Sequence, residues 1–318
     1  MKGRKSIKTV SAVLIAVLLL LSLCSCGNKE AGETTTSAEA TVSTAAFSET
    51  TSIPESTEAP QTTAQAVTQQ AATKPQPQTQ AQHEEAEVSG TESMTDGNKT
   101  VVYPLAVKSS QRSFPVIVWA NGTGAPTQSY MSLIEKLAEG GYIVVSDASV
   151  MTADGTAQID SVNYILSKNG DAQSFFYNKV NTAAIGACGH SQGGRSSVNA
   201  AQKDSRIRCV VSIAGASSAD EARGLGTPCL FLTGTSDLVV ISSQWCKPSY
   251  DAVSGRAAYA SLKGGIHTTC MTNPEKVSGY TLDWFNAYLL GNAQARSVFE
   301  NGGKMSADSA WQDFQNKN

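Results

Sequence analysis

Apolar and polar positions divide this chain into three regimes. Between Val10 and Leu23 nearly every position is apolar. From Gly27 to Gly97 large apolar side chains almost vanish from a stretch of Thr, Ser, Ala, Gln, Glu and Pro. From Asn98 onward short apolar runs return and alternate with helical periodicities. Val101–Val107 reads as an edge strand, because Pro104 inside it cannot donate to a ladder on both sides. Phe114–Ala120 is a continuous apolar run, the pattern of a strand buried on both faces. Tyr130, Leu133, Ile134 and Leu137 then recur at helical spacing until Gly140-Gly141 stops them. Tyr142–Val145 predicts the next strand, and Ile159, Val162, Ile165 and Leu166 mark another helix. A strand follows over Thr182–Cys188 and a helix over Arg195–Gln202. Cys209–Ile213, Cys229–Thr233 and Ala257–Leu262 predict three further strands. A closing helix carries Tyr280, Trp284, Phe285 and Leu289. Strands alternating with helices argue for an α/β fold: a mostly parallel central sheet with helices on both faces. In such sheets, sites form beyond the carboxyl ends of the strands.

The two N-terminal regimes carry a different message. Lys2, Arg4, Lys5 and Lys8 precede an apolar core too short for a typical membrane span but suited to a signal peptide. It ends in Leu23-Cys24-Ser25-Cys26-Gly27, which looks like a bacterial lipobox whose cysteine becomes an acylated N-terminus. Cys26 fits better than Cys24, since Leu23 then lies three residues before it. An ordinary cleaved signal is the alternative, and both readings export the chain. Residues 27–97 cannot bury enough surface to offset the entropy of ordering and are expected to form a disordered tether. The expected organisation is therefore a signal segment over 1–26, a tether over 27–97 and a catalytic domain over 98–318, lipid-anchored at the outer face of the cell membrane.

Charge and cysteine usage refine the domain. The net charge of −3 over 318 residues hides a tether with eleven acidic and two basic residues. From Asn98 onward 18 basic residues face 16 acidic ones, a balance that gives nucleic acid or anionic lipid no strong attraction. Of seven cysteines, five lie in the domain, with no metal-type spacing. Cys188, Cys209 and Cys229 sit in or beside apolar runs and read as small buried residues. Export permits a disulfide. Cys246 and Cys270 form the better pair, because each follows a candidate catalytic loop.

Gly189-His190-Ser191-Gln192-Gly193 stands where a strand runs into a helix. A Gly-x-Ser-x-Gly turn there holds the serine on a strained corner with its hydroxyl exposed at the top of the sheet. At average glycine usage of about 7%, roughly one chain in ten of this length would show the pattern by chance, so context decides. A serine hydroxyl needs a base, usually histidine, oriented by a carboxylate. The chain has three histidines. His83 lies in the tether, and His190 adjoins the serine with its side chain expected to point away, as a packing residue. His267, in Gly264-Gly265-Ile266-His267 after an apolar strand, remains as the base. The chain order Ser, acid, His restricts the acid to Asp204, Asp220, Glu221, Asp237 or Asp251. Asp237 is favoured because it follows Cys229–Leu232 at a strand's carboxyl end, with Asp251 and Asp220 as reserves. An oxyanion hole combines the N–H after the nucleophile, Gln192, with one from an early strand-helix loop. Asn121-Gly122-Thr123-Gly124 is that loop, and Thr123 is the expected donor, ahead of Gly122 or Gly124.

From about Phe114 to Leu290 these pieces together resemble the cutinase-like and poly(ethylene terephthalate)-hydrolase-like branch of the α/β-hydrolases, a neighbour of the dienelactone hydrolases and chlorophyllases. The matching segments are Pro115–Val118 leading to Gly122-Thr123, Leu137-Ala138 with Gly141–Val145, Gly189–Gly194, Asp237, and Gly264–His267. The resemblance implies an α/β-hydrolase fold and carboxylic-ester hydrolysis through an acyl-enzyme, without a metal or organic cofactor. Two departures bear on substrate. The polyester hydrolases carry an aromatic residue where this chain has Thr123, and a Trp where it has Ala214-Gly215-Ala216, so both walls of an aromatic clamp are missing. Trp245 and Tyr250, beyond the acid, are the aromatic residues placed to line the acyl site instead, or else simply to pack.

Three functional readings follow. The first is a tethered monomeric serine esterase acting on a small or polymeric ester, with no nucleic-acid partner and only a lipid anchor in the membrane. The second is a surface lipoprotein that binds solutes without catalysis, and the third an acyltransferase or peptidase on the same triad. An ordered Ser-Asp-His set at loop ends favours catalysis, because a binding module has no use for it.

Overall fold

Six parallel strands form the centre of the architecture. A computed structural model of the chain describes residues 90–317. The signal segment, Cys24, Cys26, His83 and most of the expected tether lie outside them. The strands are β1 (Thr91–Asp96), β2 (Lys99–Pro104), β3 (Phe114–Ala120), β4 (Ile143–Asp147), β5 (Val180–His190), β6 (Ile207–Ile213), β7 (Cys229–Gly234), β8 (Ala257–Leu262) and β9 (Trp311–Lys317). They lie in one sheet in the order β1-β2-β4-β3-β5-β6-β7-β8-β9. Strands β3 to β8 run parallel, while β1, β2 and β9 pair antiparallel at the two edges.

The apolar runs explain both faces of this sheet. Successive strand residues point to opposite sides, so an unbroken apolar run serves two cores. In β3, Phe114, Val116 and Val118 enter one cluster and Ile117 and Trp119 the other. The first cluster is covered by helices Thr156–Gly170 (α2), Gln192–Lys203 (α3) and Cys246–Ala252 (α4). The second is covered by Met131–Glu139 (α1) and Glu275–Leu289 (α5). The fold is that expected: a mostly parallel sheet with helices on both faces.

Three expectations change. The tether boundary at residue 97 falls too late, because Thr91–Asp96 pairs along its length with Lys99–Pro104. This edge strand is nearly all polar and lightly buried, so it carries no apolar run. The run to Val107 breaks at Pro104, after which Leu105–Lys108 forms a single 3-10 turn. The Cys246–Cys270 disulfide is not present, and all five described cysteines are free and buried. Cys246 packs in the first core and Cys270 in the second, with the sheet between them, a separation that thiol geometry cannot bridge. Cys246 Sγ instead contacts the Gly215 carbonyl at 3.3 Å, and burial pushes its pKa up to about 12. Tyr250 likewise belongs to the core, against Phe231 and Tyr259, and Trp245 packs at that core's margin.

One buried ion pair supports the loop that later proves central. Lys99 Nζ lies 2.5 Å from Asp147 Oδ2, with both side chains almost fully enclosed. Asn98 Nδ2 also donates to Asp147 Oδ2, and the Ser149 N–H donates to Oδ1. Burial alone would raise the Asp147 carboxyl, but Lys99 and Ser149 hold it below the usual carboxylate value of 3.8. A carboxyl lowered in the folded state contributes stability above the unfolded value that is lost as pH falls through the folded one. Lys99→Met leaves this buried carboxylate unpaired and is expected to cost about 3–5 kcal/mol at neutral pH. Urea unfolding at pH 7 checks this, and the gap between variant and wild type should narrow in acid as Asp147 protonates.

Candidate active site

Ser191 sits between β5 and α3 with φ 57° and ψ −120°. A non-glycine residue at positive φ is strained by about 1–3 kcal/mol and persists only where its surroundings impose it. Here the surroundings are glycines. A side chain on Gly189 would collide with the Gly193 carbonyl, and one on Gly193 with the Ala120 carbonyl. The strand β5, the start of α3 and the end of β3 therefore close directly on one another. Ser191 N–H donates to Ile213 O at 2.9 Å, and Ala216 N–H donates to Ser191 O at 3.2 Å, which ties the corner to the end of β6. Beneath it, buried Gln158 from α2 donates to the carbonyls of Val118 and Cys188 and accepts from Ser196.

Ser191, His267 and Asp237 meet in one hydrogen-bonded line. His267 Nε2 lies 3.0 Å from Ser191 Oγ, and His267 Nδ1 lies 2.8 Å from Asp237 Oδ2. The other Asp237 oxygen accepts the N–H groups of Val239 and Val240 at 2.9 Å, so the carboxylate is held from both ends. The acid loop and the histidine loop touch at glycines. A side chain on Gly234 would collide with the Gly265 carbonyl, which itself accepts Ser236 N–H at 2.9 Å. Gly264 takes φ 68° and donates its N–H to Thr235 Oγ1. Each of the other acids weighed is engaged elsewhere: Asp204 with Arg206, Asp220 with Arg223, Glu221 with Arg195, and Asp251 with Lys247.

The candidate oxyanion loop, residues 121–124, follows β3. Asn121 is buried and fixes it, donating to the carbonyls of Asp147 and Ser149 and accepting from Trp119 Nε1. Gly122 N–H donates to Tyr130 Oη, Gly124 N–H to Val150 O, and Ala125 N–H to Gly122 O. Those donors are occupied. Among the described residues no partner is found for the N–H of Thr123 or of Gln192, the two that the sequence singles out. The Gln192 side chain accepts Thr152 N–H at 2.7 Å, which fastens the loop after β4 to the corner.

Several residues here carried no readable signal. The side chains of Asn121, Gln158 and Tyr130 reach partners as far as 28, 40 and 60 positions away, and nothing in their local pattern points to it. His190, read as a packing residue, is buried but fully hydrogen-bonded, with Nδ1 3.0 Å from Tyr130 Oη and Nε2 2.8 Å from His267 O. Burial first, and then the neighbouring His267, push its pKa down to about 3. Large apolar side chains stand exposed beside the site residues: Leu238 at 83%, Met151 at 63% and Ile266 at 53%. No group of three or more metal-ligating side chains converges among the described residues.

A buried serine, imidazole and carboxylate in line can generate an alkoxide-like nucleophile, and two unpartnered N–H groups can receive the oxyanion that its attack produces. Comparison with known proteins agrees in kind. The model of the family described as PET hydrolase-like matches residues 58–317. The chain is also similar to a bis(hydroxyethyl) terephthalate hydrolase of Streptomyces coelicolor, with 22% identity over 200 residues, 61% of this chain and 62% of the relative. It thus spans somewhat less than two thirds of that relative's length. With the family model covering most of the chain and the sheet ordered as that fold requires, this protein belongs to the PET hydrolase-like family of α/β-hydrolases.

Proposed function

We propose that this protein is a serine carboxylic-ester hydrolase tethered at the cell surface. The observation that carries the reading is the line Ser191–His267–Asp237, with distances of 3.0 and 2.8 Å. Ser191 Oγ attacks the ester carbonyl while His267 Nε2 takes its proton. Asp237 holds the imidazole with Nε2 facing the serine and stabilises the imidazolium. The negative charge on the former carbonyl oxygen is received by the Thr123 and Gln192 N–H groups. His267 then returns the proton to the departing alcohol, leaving an acyl-serine. Water, deprotonated by the same imidazole, releases the acid and restores the serine. Binding without catalysis would leave the strain at Ser191 and the ordered triad without a role.

The substrate that fits is an ester with an aliphatic group rather than one gripped between aromatic walls. Thr123 and Ala214-Gly215-Ala216 offer no aromatic face, and Gly215 packs so closely on Gly194 and Ser212 that a larger side chain has no room there. Exposed Leu238 adjoins Asp237, Ile266 adjoins His267, and Met151 lies in the loop fastened by Gln192. These form an apolar rim for an acyl or alcohol chain. Similarity to a bis(hydroxyethyl) terephthalate hydrolase supports ester chemistry. The basic, apolar and Leu23–Cys26 segments of the N-terminus support export and acylation at Cys26, with residues 27–89 as the tether.

Three measurements test this reading. Hydrolysis of p-nitrophenyl acetate by the full chain should fall at least about 10³-fold in Ser191→Ala, and equal rates would end the esterase reading. Leu238→Asp should raise KM for a p-nitrophenyl hexanoate-type ester roughly tenfold, the scale of losing about 1.5 kcal/mol of apolar contact, while sparing the acetate. Unchanged KM for both would remove the rim. Fatty-acid labelling of the chain expressed in a bacterium should disappear in Cys26→Ala, and its persistence would move the anchor to Cys24.

A further inference from the structure

A second hydrogen-bonded line runs behind the triad. Gly122 N–H lies 3.0 Å from Tyr130 Oη, Tyr130 Oη lies 3.0 Å from His190 Nδ1, and His190 Nε2 lies 2.8 Å from the His267 carbonyl oxygen. We infer that Tyr130 and His190 are positioning residues, forming a neutral strut that ties the oxyanion loop to the backbone of the catalytic histidine. The inference rests on the ester-hydrolase reading for its role, though the strut itself can be observed without it.

With His190 neutral, the two ends leave only one direction for the protons. A backbone N–H can only donate and a carbonyl can only accept. Gly122 therefore donates to the Tyr130 oxygen, Tyr130 donates its own hydrogen to His190 Nδ1, and His190 Nε2–H donates to His267 O. This requires a neutral His190 in the Nε2–H form. Protonation would place a hydrogen on Nδ1 facing the Tyr130 oxygen and leave the phenol hydrogen without its acceptor. It would also set a second positive ring 4.6 Å from the one that must become charged during the reaction. The groups around His190 are Tyr130, His267 and, beyond it, Asp237, while Cys270 faces Tyr130. Burial keeps both members uncharged, lowering His190 to about 3 and raising the Tyr130 phenol.

Space around the strut is as restricted as its bonding. A Cβ on Gly122 would stand 2.8 Å from Tyr130 Oη and 3.1 Å from His190 Nδ1, so the loop rests directly on the strut. His190 adjoins Ser191 in the chain, and Tyr130 immediately precedes α1. The strut thus brings the nucleophile corner, the oxyanion loop and the histidine loop to common support. Thr123 N–H is one residue from the tied Gly122, and the imidazole is one side chain from the tied carbonyl. Slack in either shifts the oxyanion donor and the base relative to the carbonyl carbon, and misplacement of about 1 Å can cost as much as 10²-fold in rate.

The test uses the full chain with p-nitrophenyl acetate, alongside ¹⁵N NMR of the imidazoles. Tyr130→Phe, which removes one oxygen, should lower kcat about tenfold and leave KM within about twofold. His190→Leu should lower kcat at least as far, and adding Tyr130→Phe to it should cost nothing more, because the strut acts as a unit. His190→Gln, which keeps an amide donor for the His267 carbonyl, should recover part of the loss. In the wild type the His190 ring should remain neutral and Nε2-protonated from about pH 5 to 9. A folded Tyr130→Phe enzyme with kcat within about twofold of wild type would overturn the inference, as would losses that multiply in the double variant. So would a His190 ring that titrates near its ordinary value of about 6.5. Should His190→Leu fail to fold, Tyr130→Phe and the NMR decide alone. A wild type no faster than Ser191→Ala would overturn the ester reading instead, whereas a working hydrolase indifferent to Tyr130→Phe would overturn only the strut.

Discussion

The close approach of three backbones around Ser191 is the constraint on which the rest depends. β3, β5 and the first turn of α3 meet at Ala120, Gly189 and Gly193 with no room for a Cβ on either glycine. That contact holds Ser191 at φ 57°, a conformation its own preferences oppose. Without the parallel sheet the strain would relax, and the hydroxyl would turn away from His267. The sheet supplies the rigidity because its central strands are apolar on both faces and enclosed by helices on each side. Strain at the corner is thus maintained by packing spread across the domain.

From this corner two hydrogen-bonded lines run out and meet again at His267. One reaches the imidazole from Asp237, and the other reaches the backbone carbonyl through Tyr130 and His190. In the proposed mechanism the first line changes protonation state, while the second stays as it is. Their environments fit that division: Asp237 keeps two backbone donors on its free oxygen, whereas His190 sees no carboxylate directly and is enclosed. Two histidines 4.6 Å apart thus sit in different surroundings. The Lys99–Asp147 pair extends the same support outward, because the Asp147 and Ser149 carbonyls receive Asn121, which fixes the oxyanion loop.

The outer surface of the candidate site carries exposed apolar side chains. The small residues of the Ala214–Ala216 turn pack against the start of α3, and Ala214 itself takes φ 46°. The apolar groups near the site are flexible aliphatic chains on loops.

What the sequence determined by itself was whatever depends on near neighbours in the chain. Apolar runs marked β3 and β6 to β8, helical spacing marked α1, α2 and α5, and the glycines marked the serine corner. Elimination among three histidines pointed to His267 as the candidate base. The tertiary structure decided what depends on residues far apart. It put Cys246 and Cys270 on opposite faces of the sheet, against the disulfide their loop positions suggested. It added β1 and β9, whose polar edge residues are strands only because a neighbour pairs with them. It turned His190 from a packing residue into a hydrogen-bonded one, since the partners that make it so, Tyr130 and the His267 carbonyl, lie 60 and 77 residues away. Local pattern reflects the solvent and periodicity a residue meets within its own element, whereas donors and acceptors are matched only after the chain has closed.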